Sequence, residues 1–189
     1  MNSNQLIIMQ KALSLFSAFG YEATGTQQIC DAAGVTKPTL YHYFKSKRGL
    51  IDSILSENFT PFLTHVEEAC AYQHDLTLNL EAVTRVYFQF AQQEPVFYRL
   101  QLALRSAPLQ SESYEAIAPW AEKESVVLQQ LFVAAESDHG NMRGRSQAYA
   151  LTLLGMINAY IHHAADQGEP LTDTLIHQAR HQFMHGIFS

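Results

Sequence analysis

The chain has 189 residues, of which 47% are hydrophobic and 16% are charged, and its formal net charge is −6. This composition is typical of a globular protein and excludes an intrinsically disordered chain. The longest apolar run, YALTLLGMINAYI at residues 149–161, is interrupted by polar residues and is shorter than the roughly 20 residues of a membrane helix. Cys30 and Cys70 lack CxxC spacing, which predicts buried thiols and leaves a redox role open. The first residues lack the features of a signal peptide, so we expect a cytoplasmic protein.

Positive charge is concentrated at the start of the chain. Residues 1–50 contain five basic and two acidic side chains, a net charge of +3. The remaining 139 residues contain seven basic and sixteen acidic side chains, a net charge of −9. A basic segment on an acidic body predicts that a polyanion binds the first segment only.

Helical spacing of apolar residues recurs along the chain without strand-like alternation, which predicts an all-α fold. A first helix has an apolar face of Leu6, Met9, Leu13 and Phe16 and ends at Gly20.

A second, short helix is predicted to be capped by either Thr24 or Thr26 and to end at Gly34. A third helix is capped by Thr36 and has Pro38 in its first turn, where a missing N–H does no harm.

Six further helices complete the prediction. Ser46 caps the fourth helix, in which Pro61 predicts a kink. The others are predicted over residues 76–93, 95–106, 111–136, 143–167 and 171–187, with breaks at Pro95, at Pro108 and in the QGEP segment at 167–170. Pro119 marks either a kink or a boundary within the 111–136 span.

The second and third helices, joined by AGVT, have the shape of a helix-turn-helix. Gly34 lies where the turn bends, because glycine tolerates a positive φ. Residues 36–39 then form the N-terminal end of the second helix of the motif, the part that enters a major groove. Leu40, Phe44 and Leu50 are predicted to face inward as core.

Over GYEATGTQQICDAAGVTKPTLYHYFKSKRGL, residues 20–50, the chain resembles the tetracycline-repressor (TetR) family of bacterial transcription regulators. The shared pattern is a Gly-Tyr pair, Ala-Gly-Val-Thr, a Leu-Tyr-x-x-Phe recognition helix and the Ser-Lys after it. The chain departs from it at Gly25, Thr26, Cys30 and Arg48, and Arg48 is expected to add positive charge near the DNA. The resemblance implies a three-helix helix-turn-helix DNA-binding domain over residues 1–50 and a larger helical ligand-binding and dimerisation domain over residues 51–189.

Side-chain chemistry assigns the expected DNA contacts. Lys37 and Thr39 can hydrogen-bond base edges, and Pro38 can touch a thymine methyl group. The aromatic and imidazole side chains at 41–43 reach phosphates, and Lys47 supplies charge. The predicted DNA-binding residues are Thr26, Gln27, Thr36, Lys37, Pro38, Thr39, Tyr41, His42, Tyr43 and Lys47.

Aromatic side chains of the larger domain can line an apolar ligand pocket with few polar anchors, although core packing is the commoner role for any one of them. The predicted pocket residues are Phe59, Phe62, Tyr87, Phe90, Phe97, Tyr98 and Trp120. Arg85, Arg99 and Arg105 are candidates to anchor an anionic ligand, unless surface ion pairs occupy them.

The last two helices are the predicted dimer interface. Residues 148–164, AYALTLLGMINAYIHHA, are apolar nearly all round, and Gly155 allows close approach of a partner helix. A homodimer also matches a palindromic DNA operator, because its two recognition helices must engage half-sites about one helical turn apart.

Two alternatives remain beside a ligand-responsive repressor that a small, largely apolar molecule releases from DNA. His177, His181 and His185 recur at i, i+4 and i+8, with His162 and His163 on the preceding helix, so a metal-sensing regulator is conceivable. No GxSxG, HExxH, P-loop or dinucleotide fingerprint occurs, which disfavours a helical enzyme. We therefore predict a regulator that is not an enzyme and needs no cofactor.

Overall fold

The computed structural model describes residues 3–186 and contains nine α-helices, one 3₁₀ turn and no strand within that range. The helices are α1 (Ser3–Phe19), α2 (Thr26–Ala33), α3 (Lys37–Phe44), α4 (Lys47–Cys70), α5 (Leu76–Gln93), α6 (Pro95–Arg105), α7 (Glu112–Ala135), α8 (Ser146–Gln167) and α9 (Asp173–His185), and the 3₁₀ turn spans Gly140–Met142. The predicted all-α fold is confirmed. The helix end predicted at residue 187 lies outside the described residues.

The described chain divides into two compact units. Unit 1 takes the residues up to Pro61 together with Glu94–Ala121, and unit 2 takes Phe62–Gln93 together with the residues from Glu122 onward. Helix α4 continues through Pro61 and α7 through Pro119, so Pro119 is not a boundary between helices. The division into functional domains at residue 50 stays a prediction.

In unit 1, α1 packs against α2, α3 and α6. Its buried residues are Ile8, Met9, Ala12 and Phe16, whereas Leu6 is 42% exposed. The predicted apolar face was therefore wrong at Leu6, because three neighbouring helices, and not periodicity alone, select the buried face. Full burial of a side chain such as Ile8 or Phe16 stabilises the fold by about 1.5–3 kcal/mol relative to exposure.

In unit 2, α5 packs against α8 and α9. Ion pairs join α5 to α9: Arg85 contacts Glu81 at 3.2 Å and also Asp173, while Arg180 contacts Glu81 at 2.8 Å. The ion-pair interpretation of Arg85 is thus the one that the structure supports. No helix within the described range is long and apolar enough to cross a membrane.

Candidate nucleic-acid interface

The turn of the helix-turn-helix depends on Gly34. Its φ of 65° and ψ of 33° lie in the left-handed region, which a residue with a Cβ rarely adopts. The amide of Val35 donates to the carbonyl oxygen of Cys30 at 3.0 Å and closes the end of α2. The chain can therefore reverse within three residues and start α3 at Lys37.

Thr36 caps α3, as predicted. Its backbone is extended, and its hydroxyl accepts a hydrogen bond from the amide of Thr39 at 3.4 Å. The two hydroxyl groups of Thr36 and Thr39 are also 2.9 Å apart, so one donates to the other. Pro38 occupies the first turn, where its missing N–H leaves no backbone acceptor unpaired.

The predicted cap of α2 was wrong. Gly25 is the N-cap residue and makes no side-chain cap hydrogen bond. Thr24 is fully buried, and its hydroxyl donates to the carbonyl oxygen of Gly20 at 2.8 Å. Because this hydroxyl secures the end of α1, it does not serve the start of α2.

Helix α3 has one buried side and one exposed side. Leu40 and Phe44 are 0% and 4% exposed, and Leu50 at the start of α4 is 0% exposed, as predicted. Lys37 and His42 are exposed on α3. Of the predicted DNA-binding residues, Gln27, Thr36, Lys37, Pro38, Tyr41 and His42 are exposed, and Thr26, Thr39, Tyr43 and Lys47 are half-buried. Each of them can therefore be reached from solvent, while their contacts with DNA stay a prediction.

Tyr21 orients Lys47 and was not predicted as a functional residue. The Nζ atom of Lys47 lies 4.1 Å from the centroid of the Tyr21 ring, which is a cation–π contact. Tyr21 is 3% exposed, and its hydroxyl donates to the carboxylate of Glu112. Burial and the hydrogen bond to Glu112 raise the pKa of Tyr21, so the phenol stays neutral. The position of Lys47 thus depends on a contact between α7 and the segment after α1.

Arg48 has a different role from the one expected. Its Nε donates to Asp52 at 2.8 Å, and its terminal nitrogens donate to the carbonyl oxygens of Glu115 at 3.2 Å and Glu112 at 3.5 Å. The hydrogen bond to Asp52 raises the pKa of Arg48. The guanidinium group therefore ties the first turn of α4 to α7, and its charge is directed at carboxylates of the same unit. No local sequence signal marks a partner that lies 64 residues away.

The predicted pocket residues form one aromatic cluster in each unit. In unit 1, Phe59 stacks on Trp120 with centroids 5.4 Å apart and meets Phe97 edge-on at 5.3 Å. In unit 2, Phe62 stacks on Phe90 at 4.3 Å and meets Tyr87 edge-on at 5.0 Å.

The structure also describes the other residues that were predicted to contact a ligand. Tyr98 is 3% exposed. Arg105 donates to Gln101 at 2.7 Å, and Arg99 is exposed. A ligand role for any of these residues stays a prediction.

The histidines of α9 form an exposed row. The rings of His181 and His185 are 4.6 Å apart, and those of His177 and His181 are 6.4 Å apart. Arg180 donates to Nδ1 of His177 at 2.8 Å. Within residues 3–186, no group of three or more His, Cys, Asp or Glu side chains has the arrangement of a metal site.

Residues 8–54 match the family model described as bacterial regulatory proteins, tetR family. The chain is 34% identical over 96 residues to the HTH-type transcriptional activator FasR of Mycolicibacterium smegmatis, a match that covers 51% of this chain and 43% of FasR. It is 26% identical over 177 residues to the transcriptional regulator MftR of Mycobacterium tuberculosis, covering 89% of this chain and 83% of MftR.

Solved structures share the fold over nearly the whole chain. The fatty acid degradation regulator FadR of Bacillus halodurans is 16% identical with a TM-score of 0.80, covering 99% of this chain and 97% of FadR. A TetR-family transcriptional regulator of Bordetella parapertussis is 18% identical with a TM-score of 0.77, covering 99% and 97% of the two chains. The proteins that this chain resembles are transcriptional regulators and not enzymes, as predicted.

Proposed function

Because the chain is a member of the tetR family of bacterial transcription regulators, we propose that it is a ligand-responsive repressor that binds a palindromic operator as a homodimer. The observation that carries the proposal is the exposed N-terminal end of α3. Thr36, Lys37 and Pro38 are exposed there, while Leu40 and Phe44 anchor the opposite side of the helix in the core. A rigid helix that presents a lysine and hydroxyl groups at its first turn suits reading of base edges in a major groove.

Different residues of the proposed DNA-binding surface contact the bases and the phosphates. Lys37 and Thr39 contact base edges, and the hydrogen bond between the Thr36 and Thr39 hydroxyls orients the latter. Tyr41 and Lys47 contact phosphates, which strengthens binding to every sequence alike. In this proposal, Lys47 reaches a phosphate of the DNA from its position against the Tyr21 ring.

We assign dimerisation to α8 and α9. On α8, Leu151 is 58% exposed, and Thr152, Gly155 and Ala159 are exposed on the same side of the helix. An exposed leucine beside small residues favours close packing of a second helix. A two-fold pair of recognition helices then matches the two half-sites of a palindrome.

Release from DNA follows when a small, largely apolar molecule favours a conformation with differently spaced recognition helices. Helix α4 supports this route, because it begins beside α3 and continues past Pro61 into the second unit. A ligand that shifts α4 therefore acts on the helix that follows the recognition helix directly. This role places the protein in the cytoplasm, together with the DNA.

Selection of binding sites from a random duplex library tests the proposal, followed by affinity measurements on the enriched sequence. Lys37→Ala should change the selected bases, with a loss of about 1–3 kcal/mol at one position of the site. Lys47→Ala should weaken all sequences alike and lower the slope of affinity against salt concentration by about 1.

Lys123→Ala is the matched control, because it removes an exposed lysine of α7 outside the helix-turn-helix. It should leave both the selected sequence and its affinity unchanged. A selection that enriches no duplex would refute DNA recognition. An equal loss for Lys123→Ala and Lys47→Ala would show that only overall charge matters.

A further inference from the structure

Unit 2 contains a cavity of about 390 Å³ whose lining includes none of the predicted pocket residues. The cavity lies among the start of α5, the 3₁₀ turn Gly140–Met142, the first turn of α8 and the end of α9. Its volume falls within the range of roughly 300–1,000 Å³ that small-molecule sites occupy. The cavity is therefore large enough to bind a small molecule.

The floor of the cavity, as we name the buried and half-buried aromatic and apolar residues of its lining, includes two aromatic rings. The ring centroids of Tyr149 and Phe183 are 6.5 Å apart. The centroid of the buried Phe132 ring lies 5.6 Å from that of Tyr149 and 6.0 Å from that of Phe183. Leu80 and Met142 also belong to the floor and are 1% and 6% exposed. Aromatic rings pack in tilted and edge-on arrangements at these distances, so the floor suits a planar ring.

The carboxylates beside the cavity are already hydrogen-bonded within the protein. Asp138 accepts from Tyr72 at 2.9 Å and from Nδ1 of His74 at 2.6 Å. The hydrogen bond from His74 is also the main reason that the pKa of Asp138 is lowered, so this group stays ionised. Asp75 accepts from the amide of Leu78 at 3.1 Å. Both acids are thus used in fixing the α4–α5 and α7–α8 connections.

Donor groups remain at the mouth of the cavity. Nδ1 of His74 donates to Asp138, so the Nε2 edge of the ring donates to a ligand when the imidazole is protonated and accepts when it is neutral. The His139 imidazole and the exposed Asn141 amide also belong to the cavity lining. Imidazole and carboxamide N–H groups form their strongest hydrogen bonds with ionised oxygens. A ligand that matches this mouth therefore carries a carboxylate.

We propose that this cavity binds a small aromatic carboxylate, with its ring on Tyr149 and Phe183 and its carboxylate at His74, His139 and Asn141. The ligand class follows from the combination of an aromatic floor with a mouth whose acids already accept hydrogen bonds from the protein. All residues of this site belong to unit 2, whereas the proposed DNA-binding surface belongs to unit 1. The ligand proposal therefore does not depend on DNA binding.

Isothermal titration of the full chain with 2-naphthoate tests the proposal, with 2-naphthalenemethanol as the uncharged comparison. We expect saturable binding of one 2-naphthoate per chain. The alcohol should bind about tenfold more weakly or worse, the loss expected when one charge-assisted hydrogen bond is removed. No saturable binding of 2-naphthoate, or equal affinity for the two probes, overturns the proposal.

Variants locate the site. Asn141→Trp places a large ring at an exposed position of the mouth, and His74→Asn keeps a residue type that tolerates the φ of 61° at this position. Each should weaken 2-naphthoate binding about tenfold. His65→Gln is the control, because it removes an exposed histidine that contacts only Glu68 among the contacts described. If 2-naphthoate binds Asn141→Trp as tightly as the unaltered chain, its site lies elsewhere and the proposal is wrong.

Discussion

Replacing Gly49 by alanine tests how closely α3 and α4 approach each other. Gly49 lies in the first turn of α4, and its amide donates to the hydroxyl of Ser46 at 2.9 Å. A Cβ at this position would lie closer than 3.0 Å to the carbonyl oxygen of Phe44 and 3.3 Å from its carbonyl carbon. The obstacle is backbone, so a side-chain rotation cannot remove the overlap.

The carbonyl group of Phe44 has little freedom to move. It accepts from the amide of Ser46 at 2.7 Å, and the Phe44 side chain is 4% exposed in the core. Lys45, between them, already has a left-handed φ of 65°. Overpacking typically costs about 1–3 kcal/mol, whereas alanine in place of glycine contributes up to about 1 kcal/mol in a helix interior and less in a first turn. We therefore expect a net loss of about 1–2 kcal/mol in the free energy of unfolding.

Urea unfolding followed by circular dichroism measures this loss, at one fixed protein concentration because dimerisation affects apparent stability. Gly140→Ala is the matched control, since no atom of the described residues beyond its chain neighbours lies within 4 Å of a Cβ built there and its φ is not positive. The control should be neutral or slightly stabilising. Gly49→Ala should also weaken operator binding, because any shift of α4 displaces Lys47. If Gly49→Ala is as stable as the unaltered chain, the close approach of α4 to Phe44 is refuted.

Three further predictions concern charge, a thiol and the proposed dimer. Because the hydrogen bond from His74 lowers the pKa of Asp138, the unaltered chain should be more stable than Asp138→Asn at pH 6. That advantage should disappear as the pH falls from the ordinary Asp value through the lowered one, and a pH-independent difference in urea unfolding would contradict it. Burial raises the pKa of the Cys70 thiol to about 12, so iodoacetamide at pH 8 should label it only after unfolding, as mass spectrometry would detect. Outside the backbone of α8 itself, no atom of residues 3–186 lies within 4 Å of a Cβ at Gly155, so Gly155→Ala should stabilise α8 by up to about 1 kcal/mol yet weaken a dimer that packs there. Sedimentation equilibrium that finds a tighter dimer would exclude α8 from the close interface.

The contacts of Tyr21 and Arg48 connect the proposed DNA-binding surface to α7. Tyr21 holds Lys47 on one side and Glu112 on the other, and Arg48 donates to the backbone of Glu112 and Glu115. The first turn of α7 therefore supports both the phosphate-binding lysine and the start of α4. Any ligand-induced shift of α7 would act on this surface without passing through the recognition helix first.

The helices and the helix-turn-helix could be predicted because their causes are local. Gly34 permits the left-handed turn, Thr36 accepts the amide of Thr39, and the spacing of Leu40 and Phe44 identifies the buried side of α3. Each of these interactions joins residues within four positions of one another. A short stretch of sequence therefore determines a helix end or an amphipathic face, independently of the rest of the chain.

The features that could not be predicted depend on residues that are distant in sequence. The burial of Ile8 in place of Leu6 and the hydrogen bonds of Arg48 both arise from helices brought together by folding. The cavity beside His74 likewise needs α5, α8 and α9 together, and its aromatic floor joins Tyr149 to Phe183. Sequence periodicity predicts that a helix has an apolar side. The neighbouring helices that pack against it determine which side chains are buried and which hydrogen-bond donors and acceptors come into contact. Local chemistry thus specified the recognition helix, and long-range packing specified what supports it and where a ligand can enter.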